Sequence, residues 1–198
     1  MMKLNPKAIL FDMDGVLVDS IDSWWKALNH ALETYNMDKI SKQVFIEKYW
    51  GHDLYDNLKK NNLPIKVGKF CNNIYGEHLD GIKIYPNVKE VLEKLSKYPK
   101  CIITNTPCNC TTQILKTFDI EKYFDFVFTS DDVKLSKPDP EIVLLACKKL
   151  KVKSTDVVLI GDTDSDVKAG HAAGCKVIGL NIKADFIVEN LTGLLEIL

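Results

Sequence analysis

Hydrophobic positions along the chain follow two rhythms. Ala8-Ile9-Leu10-Phe11 is apolar on both alternations, as expected of a strand covered on both faces. From residue 85 onward, short runs of this kind alternate with stripes of helical spacing. Residues 87–98 carry apolar side chains at 88, 91, 92 and 95 and predict a helix, and residues 101–105 (CIITN) predict a short buried strand. The alternation continues with helix at 111–118, strand at 124–130, helix at 139–151 with Pro140 in its first turn, and strand at 156–162. It ends with helix at 165–174, strand at 176–180 and a closing helix at 188–198. Strands separated by helices of this length form parallel crossover units. The fold class is therefore α/β, a Rossmann-like parallel-sheet core with helices on both faces.

Residues 20–82 break the rhythm. Ser23 precedes a stripe at 24, 25, 28, 31, 32 and 35, and further helical segments are predicted at about 41–49, 53–61 and 65–79, with no strand run among them. The block reads as a small all-helical domain inserted into a core made of residues 1–19 and 83–198. Asp19-Ser20 and the segment from Gly81 to Pro86 are the expected hinges.

Composition narrows the picture. At 198 residues and 46% hydrophobic content the chain can bury a substantial core. Its 26 basic and 27 acidic residues leave a net charge of −1 with no basic block, which argues against nucleic acid or a membrane surface as partner and for a small, locally steered substrate. The apolar run before Asp12 is too short for a signal peptide and no stretch approaches a bilayer span, so a cytoplasmic protein is expected. Six cysteines, several within apolar runs, read as reduced and partly buried thiols. Cys108-Asn109-Cys110 has no second Cys or His pair at zinc-ligand spacing, so no zinc is expected and no cysteine is given a role.

The candidate chemistry sits where the apolar runs stop. Asp12 and Asp14 follow the first strand directly, with Gly15 after them. Two carboxylates at such a boundary repel one another and resist desolvation unless a cation, a helix N-terminus or a proton neutralises them; alone, the stretch is equally readable as a solvated turn. Thr104-Asn105, Lys137 and the pair Asp162 and Asp166 occupy corresponding positions at or after later strands, where open α/β sheets build their sites. Each has a plain reading of its own: Thr104 as a strand end, Lys137 as a loop lysine, Asp162 to Asp166 as a helix-capping cluster, the reading kept for Asp164. Together the four stretches, FDMDG, IITNT, KLSKPDP and IGDTDSD, resemble the haloacid dehalogenase superfamily along nearly the whole chain. The helical insert directly after the first motif is similar to that family's helical cap of the first type, as in phosphoglycolate phosphatases and β-phosphoglucomutases.

The resemblance implies a phosphotransferase, and the residues suit one. Phosphoryl transfer needs an in-line nucleophile, neutralisation of the equatorial oxygens and a proton for the leaving group. Asp12 is the implied nucleophile, forming an aspartyl phosphate, and Asp14 the group that protonates the leaving oxygen and then deprotonates water. Mg2+ is the implied cofactor, held by the Asp12 carboxylate, the Asp14 backbone carbonyl and Asp162, with Asp166 in or near the coordination shell. Thr104, the Asn105 amide and Lys137 are implied phosphoryl-binding groups, and Gly15 permits the tight turn. In the insert, KYWGHDLYDNL is similar to the family's specificity loop and makes Gly51 and His52 candidates to face the site, with His52 equally readable as a solvated helix-start residue; Trp24 and Trp25 read as cap core rather than as a substrate platform.

An Asp at position 14 resembles the phosphatases and mutases rather than the dehalogenases or transport ATPases. The expected function is Mg2+-dependent hydrolysis of a small phosphorylated metabolite, phosphoglycolate first. The alternatives are a sugar-phosphate mutase, and behind it a pyrophosphatase or a catalytically silent binder. Two departures stand out: Asn87, where relatives usually have glycine, and Thr106, where many phosphoglycolate phosphatases have lysine.

Overall fold

The computed structural model describes residues 3–51 and 54–198. In chain order the elements begin with β1 (Ala8–Phe11), β2 (Val18–Asp19), α1 (Ile21–Thr34), α2 (Lys42–Lys48), α3 (Leu54–Lys60), α4 (Ile65–Ile74) and β3 (Lys83–Ile84). Then follow α5 (Val88–Lys94), β4 (Lys100–Ile103), α6 (Cys108–Phe118), β5 (Phe126–Phe128) and α7 (Glu141–Leu150). The chain finishes with β6 (Val157–Gly161), α8 (Asp164–Ala173), β7 (Lys176–Leu180), β8 (Phe186–Val188) and α9 (Leu194–Ile197).

Six strands form one parallel sheet in the order β5-β4-β1-β6-β7-β8. Every residue of β1, β4 and β6 is buried, as the unbroken apolar runs require of central strands. Successive residues point to opposite faces. Ile9, Phe11, Ile102, Val158 and Ile160 join a core with α5, α6 and α9. Ala8, Leu10, Cys101, Ile103 and Leu159 join a second core with α7 and α8. The six cysteines are free thiols, all buried except Cys108.

The helical block also follows its pattern. Trp24, Ala27, Leu28, Ala31 and Leu32 form the buried stripe of α1, which packs on α4. Ser41 caps α2 by accepting from the Val44 amide. No helix among the described residues is long and apolar enough to cross a membrane.

The structure corrects the sequence reading in three places. At the two expected hinges, where no strand was predicted, β2 and β3 pair antiparallel with Val18 opposite Ile84 and Asp19 opposite Lys83. Strands of two residues carry no readable periodicity. The segment 65–79 is helical only to Ile74 and continues as a 3-10 turn over Tyr75–Gly81. The closing helix does not begin at Val188, which ends β8; Asn190 then caps a 3-10 turn by accepting from the Thr192 amide, and only Leu194–Ile197 is α-helical. Three residues, Phe186-Ile187-Val188, gain their sheet partners from β7, which is tertiary information.

Candidate active site

The sheet order decides where the polar residues meet. β1 lies between β4 and β6, so the residues just beyond their C-terminal ends, Asp12, Thr104 and Asp162, stand on adjacent strands spaced by about 5 Å. The chain runs from β1 to β4 and β5 on one side and returns to β6 on the other, making this the switch point of the sheet.

Lys137 arrives from the loop after β5 and is buried. Its Nζ donates to Asp12 Oδ1 at 2.9 Å, to Asp166 Oδ1 at 2.6 Å and to the Ile103 carbonyl at 3.0 Å. An ammonium has three protons, and these three bonds use them all. Burial opposes the charge on Lys137, but the two carboxylates outweigh it and raise its pKa. Asn105 positions the same loop through its side chain, accepting from the Lys137 amide at 2.9 Å and donating to the Lys137 carbonyl at 2.9 Å.

Asp166 is fully buried. Its Oδ1 pairs with Lys137, while Oδ2 accepts from Thr163 Oγ1 at 2.6 Å and from the Thr163 amide at 3.1 Å, closing the capping box that starts α8. The helix start thus orients the lysine that orients Asp12.

Asp12, Asp162 and Asp166 each offer an oxygen within 4.8 Å of the others. Burial, followed by Asp166, holds Asp12 well above the usual carboxylate range, and Lys137 opposes them. Burial, again followed by Asp166, pushes Asp162 up to about 7. Asp162 Oδ1 is buried without a hydrogen-bond partner. Gly15, at φ +80°, lets the Asp162 carboxylate close on the 12–15 turn, where any Cβ would collide with it. An orphaned carboxylate oxygen among acidic neighbours, with one lysine already saturated, fits an oxygen-ligated hard cation such as Mg2+.

Asp14 has a different environment. Ser20 Oγ donates to its Oδ1, while Thr106 Oγ1 at 2.6 Å and Thr104 Oγ1 at 3.4 Å face its Oδ2. Burial raises the Asp14 pKa, and the Ser20 and Thr106 hydroxyls pull it down. Ser20 stands at the N-cap of α1 and makes no side-chain capping bond; its hydroxyl proton goes to Asp14. Asp12 uses Oδ1 for Lys137 and the Met13 amide.

Asp12, Asp14, Thr104, Asn105, Thr106 and Lys137 floor a cleft of about 640 Å³, open mouth included, whose other wall comes from the helical block: Trp24, Phe45, Tyr49, Trp50 and Leu54. Gly51 lines the cleft; at φ +77°, a Cβ there would stand 2.8 Å from Thr163 Cγ2. His52 lies outside the described residues. Trp24 faces the cleft and stacks on Tyr75 at 4.0 Å between ring centroids, whereas Trp25 donates to the Ile40 carbonyl inside the helical block. The sequence reading missed the roles of Ser20 and Thr163 and noted Thr106 only as a departure. A hydroxyl residue beside a motif is too common to single out, and the Thr106 to Asp14 bond spans 92 positions.

A family model described as haloacid dehalogenase-like hydrolase matches residues 9–180. The phosphoglycolate phosphatase of Haemophilus influenzae is 29% identical over 195 residues, covering 90% of this chain and 87% of its own. Pyrophosphatase PpaX of Bacillus velezensis is 32% identical over 208 residues, covering 96% and 95%. Among solved structures, one described as a predicted phosphoglycolate phosphatase from Haemophilus somnus 129PT superposes with a TM-score of 0.82 at 28% identity, over 96% of this chain and 97% of that one. The matched segment holds every strand-end group that converges beside β1, and on that ground the chain belongs to the haloacid dehalogenase-like hydrolase family, as an enzyme of the phosphatase type similar to phosphoglycolate phosphatases.

Proposed function

We propose that the protein is a Mg2+-dependent phosphatase that hydrolyses a small phosphomonoester through a phosphorylated Asp12. The observation that carries this reading is the division of the carboxylates: Asp12 tied to Lys137 through one oxygen, Asp14 held apart by hydroxyl donors, and Asp162 with an orphaned oxygen. Asp12, Asp162 and the Asp14 carbonyl would hold the cation, with Asp166 beside them; the ion supplies charge neutralisation between the nucleophile and the phosphoryl oxygens.

Lys137 fixes Asp12 Oδ1, so Oδ2 is the oxygen to attack phosphorus in line. As the P–O bond to the leaving group breaks, Asp14, whose hold on a proton burial strengthens, delivers that proton to the departing oxygen. A water then attacks the phosphorylated Asp12 at phosphorus. Asp14 takes a proton from that water, the bond from phosphorus to Oδ2 breaks, and Asp12 and inorganic phosphate are restored. Thr104 and the Asn105 amide face the phosphoryl group. Residues 20–82 act as a cap on a core made of residues 1–19 and 83–198 and exclude water from the cleft.

Phosphoglycolate, pyrophosphate, nucleoside monophosphates and hexose phosphates make up the first substrate panel, assayed by phosphate release with and without Mg2+. The expected result is release that requires Mg2+ and is abolished in Asp12→Asn. Release at the wild-type rate by Asp12→Asn, or none from any phosphomonoester by the wild type, overturns the proposal.

A further inference from the structure

The cleft has two unlike halves. Its floor is ionic, but the wall facing it is built from Trp24, Phe45, Tyr49, Trp50, Leu54 and Pro107. Among the described residues that line the cleft, Lys137 is the one cation, and its three protons are committed to Asp12, Asp166 and the Ile103 carbonyl. The hydroxyl protons nearest the wall are committed as well, Thr106 to Asp14 and Thr163 to Asp166, and Asn105 bonds the Lys137 backbone. A leaving group with its own carboxylate or second phosphate would lose its hydration against this wall and gain no counter-charge from the described lining residues.

The wall is also set in place. Trp24 is stacked on Tyr75, Phe45 lies parallel to Tyr49 at 6.1 Å between centroids, and Trp50 packs against Phe45 at 6.3 Å. Fixed aromatic rings favour a flat, apolar partner and lose little conformational freedom on binding it.

Resting on the phosphatase reading above, we propose that the preferred substrate class is a phosphomonoester whose leaving alcohol is uncharged and carries a planar apolar ring. Trp50 and Tyr49 set this specificity, and phosphoglycolate is a weak substrate by comparison.

The test separates binding from turnover. Binding is read by quenching of tryptophan fluorescence with two non-hydrolysable phosphonates, 2-phenylethylphosphonate and 3-phosphonopropionate, in the presence of Mg2+. Turnover is read as kcat/KM for the corresponding esters, benzyl phosphate and phosphoglycolate, both of which release an alkoxide. The expected result is at least tenfold tighter binding of the phenyl compound and at least tenfold higher kcat/KM for benzyl phosphate. Trp50→Ala is expected to lower kcat/KM for benzyl phosphate at least tenfold more than it lowers that for phosphoglycolate. Leu54→Arg, which adds a cation at the wall, is expected to shift the preference towards phosphoglycolate, an outcome that a misfolded variant would not give. Equal or reversed binding together with active hydrolysis overturns the proposed class and leaves the phosphatase reading standing. Selective binding of the phenyl compound without release from either ester overturns the phosphatase reading and supports the selectivity of the wall. Neither binding nor release overturns both.

Discussion

At the scale of single residues, Asp14 is governed by neighbours distant in the chain. Thr106 Oγ1 lies 2.6 Å from its carboxylate, and the bond is charge-assisted whenever Asp14 is ionised. Hydrogen bonds to charged groups contribute about 1.5–3 kcal/mol, so Thr106→Val is expected to lower kcat by about 10- to 100-fold, with Thr106→Ser restoring most of it. Equal loss in both variants, measured by steady-state kinetics, would count against a role for the hydroxyl. Asp162 makes a prediction of the opposite kind. Its carboxyl is pushed from 3.8 in the unfolded reference up to about 7 in the fold, so the folded state holds this proton more tightly. The contribution of Asp162 to the stability of the metal-free protein is therefore full below about pH 4 and is lost as the pH rises towards about 7. Asp162→Asn removes the decline: in the presence of a chelator at neutral pH it is expected to melt higher than wild type, by about 2–4 °C for each kcal/mol recovered, while losing the thermal shift on adding Mg2+. A variant that melts lower, or keeps the shift, contradicts the assignment. These residues also mark how much of the site could be read in the sequence. Asp12, Thr104 and Asp162 stand out because each follows a buried strand, and strand ends are legible from periodicity. Ser20, Thr106 and Thr163 do not, because their partners are set by the sheet order and by how a helix starts.

At the scale of elements, the buried strands and long amphipathic helices were legible because their side chains report burial directly. The misread segments are those whose structure depends on a partner: β2 and β3 on each other, and β8 on β7. The turn into α5 shows the same logic at a boundary. Asn87 precedes the helix at φ 62°, in the left-handed region that Asn tolerates better than other residues with a Cβ, which accounts for an Asn at a position that suits glycine. Asn87→Gly is expected to change stability by less than about 0.5 kcal/mol, whereas Asn87→Val costs about 1–2 kcal/mol. Chemical denaturation of the two variants checks this, and equal midpoints would contradict it. The start of α8 makes the opposite use of a boundary, since its capping box holds Asp166 against Lys137 and ties the beginning of a helix to the electrostatics of the site.

At the scale of the whole molecule, the helical block enters and leaves through one antiparallel pair. Asp19 lies opposite Lys83, so the two ends of the 20–82 segment are no further apart than neighbouring strands. A chain in which this segment is replaced by a short hairpin turn is therefore expected to keep the six-stranded sheet and melt cooperatively, and to lose the aromatic wall of the cleft. Far-UV circular dichroism and a thermal scan check the first expectation; a chain without a cooperative transition would show that the block is integral to the core. The same ribbon bears on how such a protein can change over generations. The chain crosses between sheet and insert at a single narrow doorway, and other contacts across the boundary, such as Asn109 of α6 donating to the Asn72 carbonyl of α4, come from helices, so the insert can be lengthened, shortened or rebuilt while the strand order behind the door stays as it is. Selection can then revise what the enzyme accepts separately from how it reacts.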